Sequence, residues 1–308
     1  MIRLNYWIRS VVVLLAMALG AGSTAAADLS VSALVGAVRT TITHKDDTLL
    51  DIARASGLGY TEMVVANPSV DPWLPGEGTE IVLPTGHLLP EGARAGILIN
   101  LGDHRLYYFQ GEGKEVLSYP IGVGREGWGT PLGRTTIVRK QKNPTWFPPP
   151  AVQAEQPDLP KAVPPGPDNP LGGHALYLGF QSYLLHGTNR PWGVGRRVSH
   201  GCIRLYPEDI ADLFERIAIG TPVAIVDQRI KLAWINGTLF LEAHPETVQI
   251  AQIEESGTFD RAPVNEVDAA FMDYLRNQAG QAFDRLDWDV IRTEIGARSG
   301  IPTPITPQ

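Results

Sequence analysis

The stretch "HGTNRPWGVGRRVSHGCIRL", residues 186–205, contains the only cysteine of the 308-residue chain, Cys202, together with two histidines. Its composition predicts a strand, a glycine-rich loop and a second strand. On a strand, His200 and Cys202 are two positions apart and point to one face, while His186 could reach the thiol from a neighbouring strand. The stretch therefore brings a thiol and two imidazoles into one small structural unit.

These residue types suit nucleophilic catalysis. A thiol attacks as its thiolate, and a histidine that accepts the proton makes that attack possible near neutral pH. Acyl transfer also needs backbone N–H groups aimed at the oxyanion, and Gly201 lets the main chain approach closely. The sequence therefore predicts an oxyanion turn at residues 199–202, with either His186 or His200 as the base.

Two other interpretations of this stretch stay open. His186, His200 and Cys202 could be three zinc ligands, but structural zinc usually takes four ligands and tends to use paired cysteines. Alternatively, Cys202 could be a small buried apolar residue beside two histidines with satisfied hydrogen bonds. We favour the catalytic interpretation and expect neither a metal ion nor a cofactor.

The pair "HGT" and "SHGCIRL" resembles the signature of the L,D-transpeptidase catalytic domain, often called YkuD-type. The segments "GWGTPLGRTTI", "NPLGGHALYLGF" and "SHGCIRLYPEDIADLF" resemble its periplasmic ErfK-like subgroup, which carries an N-terminal LysM module. The resemblance covers about residues 39–245. It implies an α+β, mainly β fold, in which a small βααβ domain precedes a sheet-rich, sandwich-like catalytic domain.

The resemblance also implies roles for single residues. Cys202 would be the nucleophile and His186 the general base, with the main-chain carbonyl of Gly187 orienting the imidazole. His200 would belong to the active centre, and amides around Gly201 and Cys202 would stabilise the oxyanion.

Four further residues are candidates for substrate contacts: Arg204, Ser199, Tyr177 and Trp146. Arg204 could offer a forked donor to a substrate carboxylate or form a structural ion pair, and both readings are open. Trp146 belongs to residues 143–170, a segment that contains ten prolines. This composition favours an extended segment that acts as a lid over a site. A disordered linker is the alternative for this segment.

Residues 39–85 predict the small βααβ domain, with an Asn67-Pro68 break after its second helix. The "DTLLDIA" helix and the "GTEIVLP" strand resemble the LysM domain, which implies binding to glycans that contain N-acetylglucosamine. A small domain that binds no ligand is the alternative. The catalytic domain is predicted for residues 94–227, and an extension of one hairpin and two amphipathic helices for residues 228–308.

The first 27 residues predict a secretory signal peptide, with Arg3 and Arg9 ahead of a short apolar run and alanines at the cleavage site. An uncleaved membrane anchor is the alternative. Removing this segment takes the formal charge from −7 to −9, which makes nucleic acid an unlikely partner. A single cysteine excludes an intramolecular disulfide. We expect an exported protein of the periplasm.

The reaction implied by the resemblance is attack of Cys202 on the L-centre carbonyl of the third residue of a peptidoglycan tetrapeptide stem. Terminal D-alanine would leave, and an amine of another stem or of an envelope lipoprotein would take the acyl group. Two alternatives stay open. The same thioester could be hydrolysed by water, or the protein could be an inactive glycan-binding scaffold.

Overall fold

A small βααβ unit begins the part of the chain that is described. The computed structural model describes residues 33–261, 264 and 266–307, so the predicted signal peptide, residues 1–27, lies outside the described residues. The N-terminal elements are β1 (Leu34–Gly36), β2 (Arg39–Ile42), α1 (Leu49–Ala55), α2 (Tyr60–Ala66), β3 (Glu80–Leu83) and β4 (Gly86–Leu88). Strands β2 and β3 pair antiparallel, and β1 pairs with β4. The order β2-α1-α2-β3 is the βααβ order that the sequence predicts.

Capping and one buried amide hold this unit together. The Thr48 hydroxyl accepts a hydrogen bond of 3.1 Å from the Asp51 N–H and so caps α1. Helix α2 ends at Ala66, and the buried side chain of Asn67 then donates to the carbonyls of Met63 and Val82, each at 2.9 Å. Its oxygen accepts from the Val82 N–H at 2.8 Å. Asn67 therefore joins the end of α2 to β3.

The middle of the chain forms the main sheet. Its elements are β5 (Gly96–Asn100), β6 (Arg105–Phe109), β7 (Val116–Pro120), β8 (Val123–Gly124), β9 (Gly133–Lys142), α3 (Pro150–Glu155), β10 (His174–Leu178), β11 (Leu184–His186), β12 (Arg197–Ser199), β13 (Ile203–Arg204), α4 (Pro207–Arg216) and β14 (Pro222–Val226). Eight of these strands make one sheet in the order β13-β11-β10-β9-β14-β5-β6-β7. Two neighbouring pairs are parallel, β11 with β13 and β14 with β5. The predicted mainly β, α+β fold is confirmed.

One face of the main sheet is covered along its length, and the other face is covered at its β7 end. Helix α4 buries Ile210 and Leu213 against one face, in a core shared with Leu185 and Ile203. A second cluster around Leu98 covers the other face of the strands at the β7 end of the sheet. The proline-rich segment, residues 143–170, differs from the predicted extended excursion because it contains α3. Pro150 occupies the first turn of α3, where its missing N–H costs nothing, and five residues without proline follow.

The C-terminal extension packs around a second, three-stranded sheet. Its elements are β15 (Ile230–Ile235), β16 (Thr238–Ala243), α5 (Thr247–Ser256), α6 (Ala269–Ala279), α7 (Trp288–Ala297) and β17 (Thr303–Pro304). The predicted hairpin turns at Asn236 and Gly237, which both have positive φ, as the commonest two-residue hairpin turn requires. Helix α5 has no counterpart in the predicted pair of helices. No helix within the described ranges is long and apolar enough to span a bilayer.

Buried charges connect the three regions. Arg105 of β6 donates to Glu62 of α2 at 2.8 and 3.0 Å, and both side chains are buried. Lys231 of β15 is fully buried, with its ammonium 2.8 Å from an Asp103 carboxylate oxygen and 2.5 Å from a Glu242 oxygen. The pairs Arg105–Glu62 and Lys231–Asp103 thus each join two regions of the chain.

Candidate active site

Cys202 lies in the turn that joins β12 to β13, one residue before β13 begins. Strand β13 runs parallel to β11, with Leu185 beside Ile203 and His186 beside Arg204. Leu185 and Ile203 enter the core of the sheet, so the alternation of side chains directs His186 and Arg204 to the opposite face. Cys202, two residues before Arg204, shares that face with His186.

The His186 imidazole is buried and held by its neighbour. Its Nδ1 lies 2.5 Å from the carbonyl oxygen of Gly187. Because a carbonyl only accepts, Nδ1 carries the proton and Nε2 is left as an acceptor. Burial lowers the pKa of His186 to about 3, the charge of Arg204 adds to this effect, and the hydrogen bond to Gly187 partly opposes it. His186 is therefore neutral at physiological pH.

The Cys202 thiol is partly exposed and lies 3.7 Å from the carbonyl oxygen of Ser182, to which it can donate. Burial raises the pKa of the thiol above its ordinary value, while a backbone hydrogen bond from Leu184 and the charge of Arg204 act in the other direction. The thiol is thus protonated at neutral pH. The resting pair is a neutral thiol and a neutral imidazole, the arrangement of a nucleophile that needs a general base.

The turn before the thiol is shaped by Ser199 and Gly201. The buried Ser199 hydroxyl donates to the Cys202 carbonyl at 2.5 Å and accepts from the Gly201 N–H at 3.1 Å. Gly201 has φ of 99°, and a Cβ there would lie 2.8 Å from the ring of Tyr183. No hydrogen bond from the Cys202 N–H is found among residues 33–261, 264 and 266–307. Ser199 thus occupies the Gly201 amide and leaves that of Cys202 available.

His200 is turned toward the proline-rich segment. Its Nε2 lies 3.0 Å from a carboxylate oxygen of Glu155, the last residue of α3. Arg125 donates to the same oxygen at 2.6 Å, and Trp128 meets the imidazole edge-on at 4.8 Å between ring centres. The Glu155 side chain thus bridges the segment that contains α3 to the turn of Cys202.

Sequence reasoning missed Arg125, Trp128 and Glu155. The first two lie in the glycine-rich "REGWGTPLG", where the glycines indicate turns and conceal the side chains between them. Glu155 carries no local signal, because its partner His200 is 45 residues away. The one available hint is that Glu155 is the sole acidic residue of "PAVQAEQP", residues 150–157.

The other candidate substrate residues have different settings. No carboxylate within the described residues pairs with Arg204, and its buried Nε has no hydrogen-bond partner there. Tyr177 of β10 pairs with Leu184, which puts its ring on the face of His186, under the Arg139 guanidinium at 3.5 Å. Trp146 exchanges backbone hydrogen bonds with Val163 inside the proline-rich segment, at 2.9 and 2.8 Å.

The group of side chains that could hold a metal ion does not include the Cys202 thiol. Over the described ranges, the residues that could converge on one ion are Asp103, Glu242 and His244, whose ligand atoms lie within 4.8 Å of one another. The Lys231 ammonium already contacts both carboxylates of this cluster. The cluster thus has a cation from the protein itself. His186, His200 and Cys202 are not brought together as such a group.

Comparison with known proteins identifies the family of the chain. The model of the YkuD L,D-transpeptidase catalytic domain matches residues 94–225. The chain is 37% identical to the probable L,D-transpeptidase ErfK/SrfK of Escherichia coli K12, covering 85% of this chain and 84% of that protein. The probable L,D-transpeptidase YcfS of the same strain is 36% identical, with 89% and 85% covered.

Among solved structures, L,D-transpeptidase 3 from Mycobacterium tuberculosis is 16% identical, with 64% of this chain and 94% of that chain covered at a TM-score of 0.33. The similarity to the Escherichia coli proteins is much stronger, since it extends over most of both sequences. The residues that the family model matches, 94–225, include most of the main sheet and the turn of Cys202. On these grounds the chain belongs to the L,D-transpeptidase family and is a transpeptidase with a YkuD catalytic domain.

Proposed function

We propose that the protein transfers acyl groups between peptidoglycan stem peptides, with Cys202 as the nucleophile. The observation that carries this proposal is the neutral pair of thiol and imidazole on one face of the sheet, with His186 Nε2 left free to accept a proton. His186 takes the thiol proton as the sulfur attacks the L-centre carbonyl of the third stem residue. The C–N bond to terminal D-alanine then breaks, and the amine leaves with the proton from His186.

The second half of the reaction returns the enzyme to its resting state. An acceptor amine attacks the Cys202 thioester and gives a proton to His186, a new amide bond forms, and the sulfur leaves and recovers that proton. The negative oxygen of each tetrahedral intermediate needs a donor. The Cys202 N–H supplies it, since Ser199 already holds the Gly201 amide. Ser199 and Gly201 shape the turn in this proposal.

Arg204 binds a carboxylate of the stem peptide. Its guanidinium lacks an acidic partner within the described part of the chain, and a half-buried cation without one is well suited to a charged ligand. Burial lowers the pKa of Arg204, and nearby Arg190 adds to the positive field. Tyr177 offers a flat apolar surface on the same face of the sheet, and Trp146 lies in the segment that carries the lid.

The proline-rich segment, residues 143–170, acts as the lid of the site, held by the contact between Glu155 and His200. Limiting water over the thioester favours an amine acceptor over hydrolysis. The acceptor is the side-chain amine of a second stem peptide, which gives a 3→3 cross-link, or a lysine of an envelope lipoprotein. A carboxypeptidase would use water instead.

The domain scheme forms part of the proposal. Residues 1–27 direct export to the periplasm, residues 39–85 are a LysM domain that binds peptidoglycan glycan, and residues 94–227 carry the chemistry. The extension, residues 228–308, supports the catalytic sheet through Lys231 and Glu242.

The test is mass spectrometry of the purified protein incubated with a disaccharide tetrapeptide, beside the Cys202→Ala variant. We expect loss of D-alanine and a cross-linked dimer, both absent in the variant. Tripeptide without dimer would favour the hydrolase, and adding a lysine peptide as acceptor would then separate hydrolysis from a missing acceptor. Unchanged substrate with the unmodified protein would contradict the proposal and favour the glycan-binding scaffold.

A further inference from the structure

A cleft of about 420 Å³ lies where the βααβ unit meets the catalytic domain. The βααβ unit contributes Asp51 and Arg54 of α1 and Trp73 of the loop before β3, and the catalytic domain contributes Trp192 and Tyr206. Its volume is in the range of small-ligand sites. Neither domain alone would form this cleft, because its lining comes from both.

The two sides of the cleft are held in a fixed relation. Arg54 and Glu208 form a two-pronged ion pair across the junction, with N–O distances of 2.7 and 2.8 Å. The backbones also meet directly, since the Tyr60 N–H donates to the Val194 carbonyl at 3.2 Å. At Gly195 a Cβ would lie 2.5 Å from the Cα of Gly59, so the two backbone segments are in contact there. The cleft is therefore preformed.

Two exposed tryptophans mark this cleft. The Trp73 and Trp192 side chains are 55% and 56% exposed, which is unusual for the largest apolar side chain unless it serves binding. The ion pair with Glu208 and the bond from Thr48 leave Arg54 Nη1 and Asp51 Oδ1 as a donor and an acceptor beside the indoles. Aromatic faces together with groups of both hydrogen-bonding types suit a ligand that has C–H faces and a rim of hydroxyls. A pyranose ring has both.

The cleft is also connected to the reactive centre. Pro191–Gly193 forms a short 3-10 turn that carries Trp192, and a Cβ on Gly193 would lie 3.7 Å from Arg204 Nη1. Arg204 pairs with His186 across β11 and β13. One short segment therefore contacts the cleft on one side and the carboxylate-binding Arg204 on the other.

We propose that this shared cleft binds an oligosaccharide segment of the glycan strand, with Trp73 from one domain and Trp192 from the other as its apolar contacts. The inference rests on the proposed action on peptidoglycan and adds a saccharide site to which the catalytic domain contributes directly. A strand held there presents its stem peptides at a constant distance from Cys202. The glycan site and the thiol act as parts of one binding surface.

The test is calorimetric titration of the full chain with a linear oligomer of β-1,4-linked N-acetylglucosamine. We expect Trp73→Ala and Trp192→Ala each to weaken binding about tenfold, because each removes a large apolar contact. Trp192→Phe should keep most of the affinity. Trp234→Ala, an exposed tryptophan of the extension that lies outside the cleft, is the matched control and should bind as the unmodified chain does. Thermal unfolding of every variant verifies folding.

Each failure has its own meaning. The shared cleft is overturned if the unmodified chain does not bind the oligomer. It is also overturned if Trp73→Ala weakens binding and Trp192→Ala does not. Binding of a glycan-free stem peptide that Trp192→Ala weakens would assign the cleft to peptide and overturn it as well. Consumption of tetrapeptide by the unmodified chain is measured separately, so a protein that binds saccharide but leaves the peptide intact supports the cleft and contradicts the proposed acyl transfer.

Discussion

At the scale of single residues, Arg204 acts on both partners of the proposed reaction. Its charge lowers the pKa of His186 and also lowers that of Cys202, against the larger effect of burial on the thiol. Burial dominates both groups, so the proton stays on sulfur until attack begins. The sheet thus keeps the thiol in its protonated form, with His186 on the same face as the candidate base.

We predict that the rate at which iodoacetamide alkylates Cys202 rises with pH, because the thiolate is the reactive form. The midpoint of this rise should lie above 9.0, the ordinary pKa of a thiol. Arg204→Met should move this midpoint further upward, because the cation that favours the thiolate is gone. The measurement is the alkylation rate against pH, followed by intact-protein mass. Arg139→Met, which removes a cation from a neighbouring strand, is the control. A midpoint near pH 6 would show a thiolate–imidazolium pair and contradict the neutral resting state.

At the scale of elements, α3 meets the catalytic turn through one carboxylate. Glu155 lies between Arg125 and His200, and these contacts are 2.6 and 3.0 Å long. All three side chains are partly exposed, so the attraction is modest, on the order of 0.2–1 kcal/mol. Such a contact can be opened readily, as a lid requires.

We predict that Glu155→Gln raises the ratio of hydrolysed tripeptide to cross-linked dimer by up to about fivefold, because the lid is held less firmly over the thioester. The measurement is the product ratio by mass spectrometry. Glu215→Gln removes another exposed carboxylate, paired with Lys142, and should leave the ratio unchanged. An unchanged ratio in Glu155→Gln would show that this contact does not control the access of water to the thioester.

A second element-scale prediction concerns the βααβ unit. Asn67→Ala deletes three hydrogen bonds of a buried side chain and leaves the Val82 N–H and carbonyl without partners. The expected loss of unfolding free energy is about 2–3 kcal/mol. Urea denaturation measures it, and Asn189→Ala, which removes a single bond to the Asp168 carbonyl, is the control with a much smaller effect. Equal losses in both variants would contradict the role of Asn67.

Local sequence signals predict the βααβ order, the hairpin at Asn236 and the neighbourhood of Cys202 because each is encoded within a few residues. The thiol, both histidines and the glycines of the turn occupy only residues 186–202. Contacts between distant residues carry no such signal. Arg125 and Glu155 meet His200 from 75 and 45 residues away, and the use of Ser199 within the turn depends on geometry that spacing alone does not define.

At the scale of the whole molecule, Lys231 joins the extension to the catalytic sheet. Its ammonium contacts Asp103 and Glu242, and Glu242 also accepts from the Leu88 N–H at 2.5 Å. Burial alone would raise the pKa of Asp103, but the charge of Lys231 holds it below its ordinary value. Removing Lys231 would leave two buried carboxyl groups without their cation.

We predict that Lys231→Met lowers the free energy of unfolding by about 3–5 kcal/mol, because it breaks a buried ion pair from one side. Chemical denaturation provides the measurement. Combining it with Glu242→Gln should restore part of the loss, since one unpaired charge disappears. Lys142→Met, at an exposed pair with Glu215, should change stability by less than about 1 kcal/mol. A loss this small for Lys231→Met would contradict the cluster's structural role.

The cluster of Lys231, Asp103 and Glu242 extends beyond the boundary of the family's catalytic domain. The stretch that the family shares as a unit of descent is residues 94–225, and it includes Asp103 but ends before Lys231. Expressed by itself, that stretch would leave the Asp103 carboxylate without the ammonium that it contacts in the whole chain. The heritable module and the length of chain that keeps this ion cluster complete are therefore different, and the longer one reaches at least through Glu242.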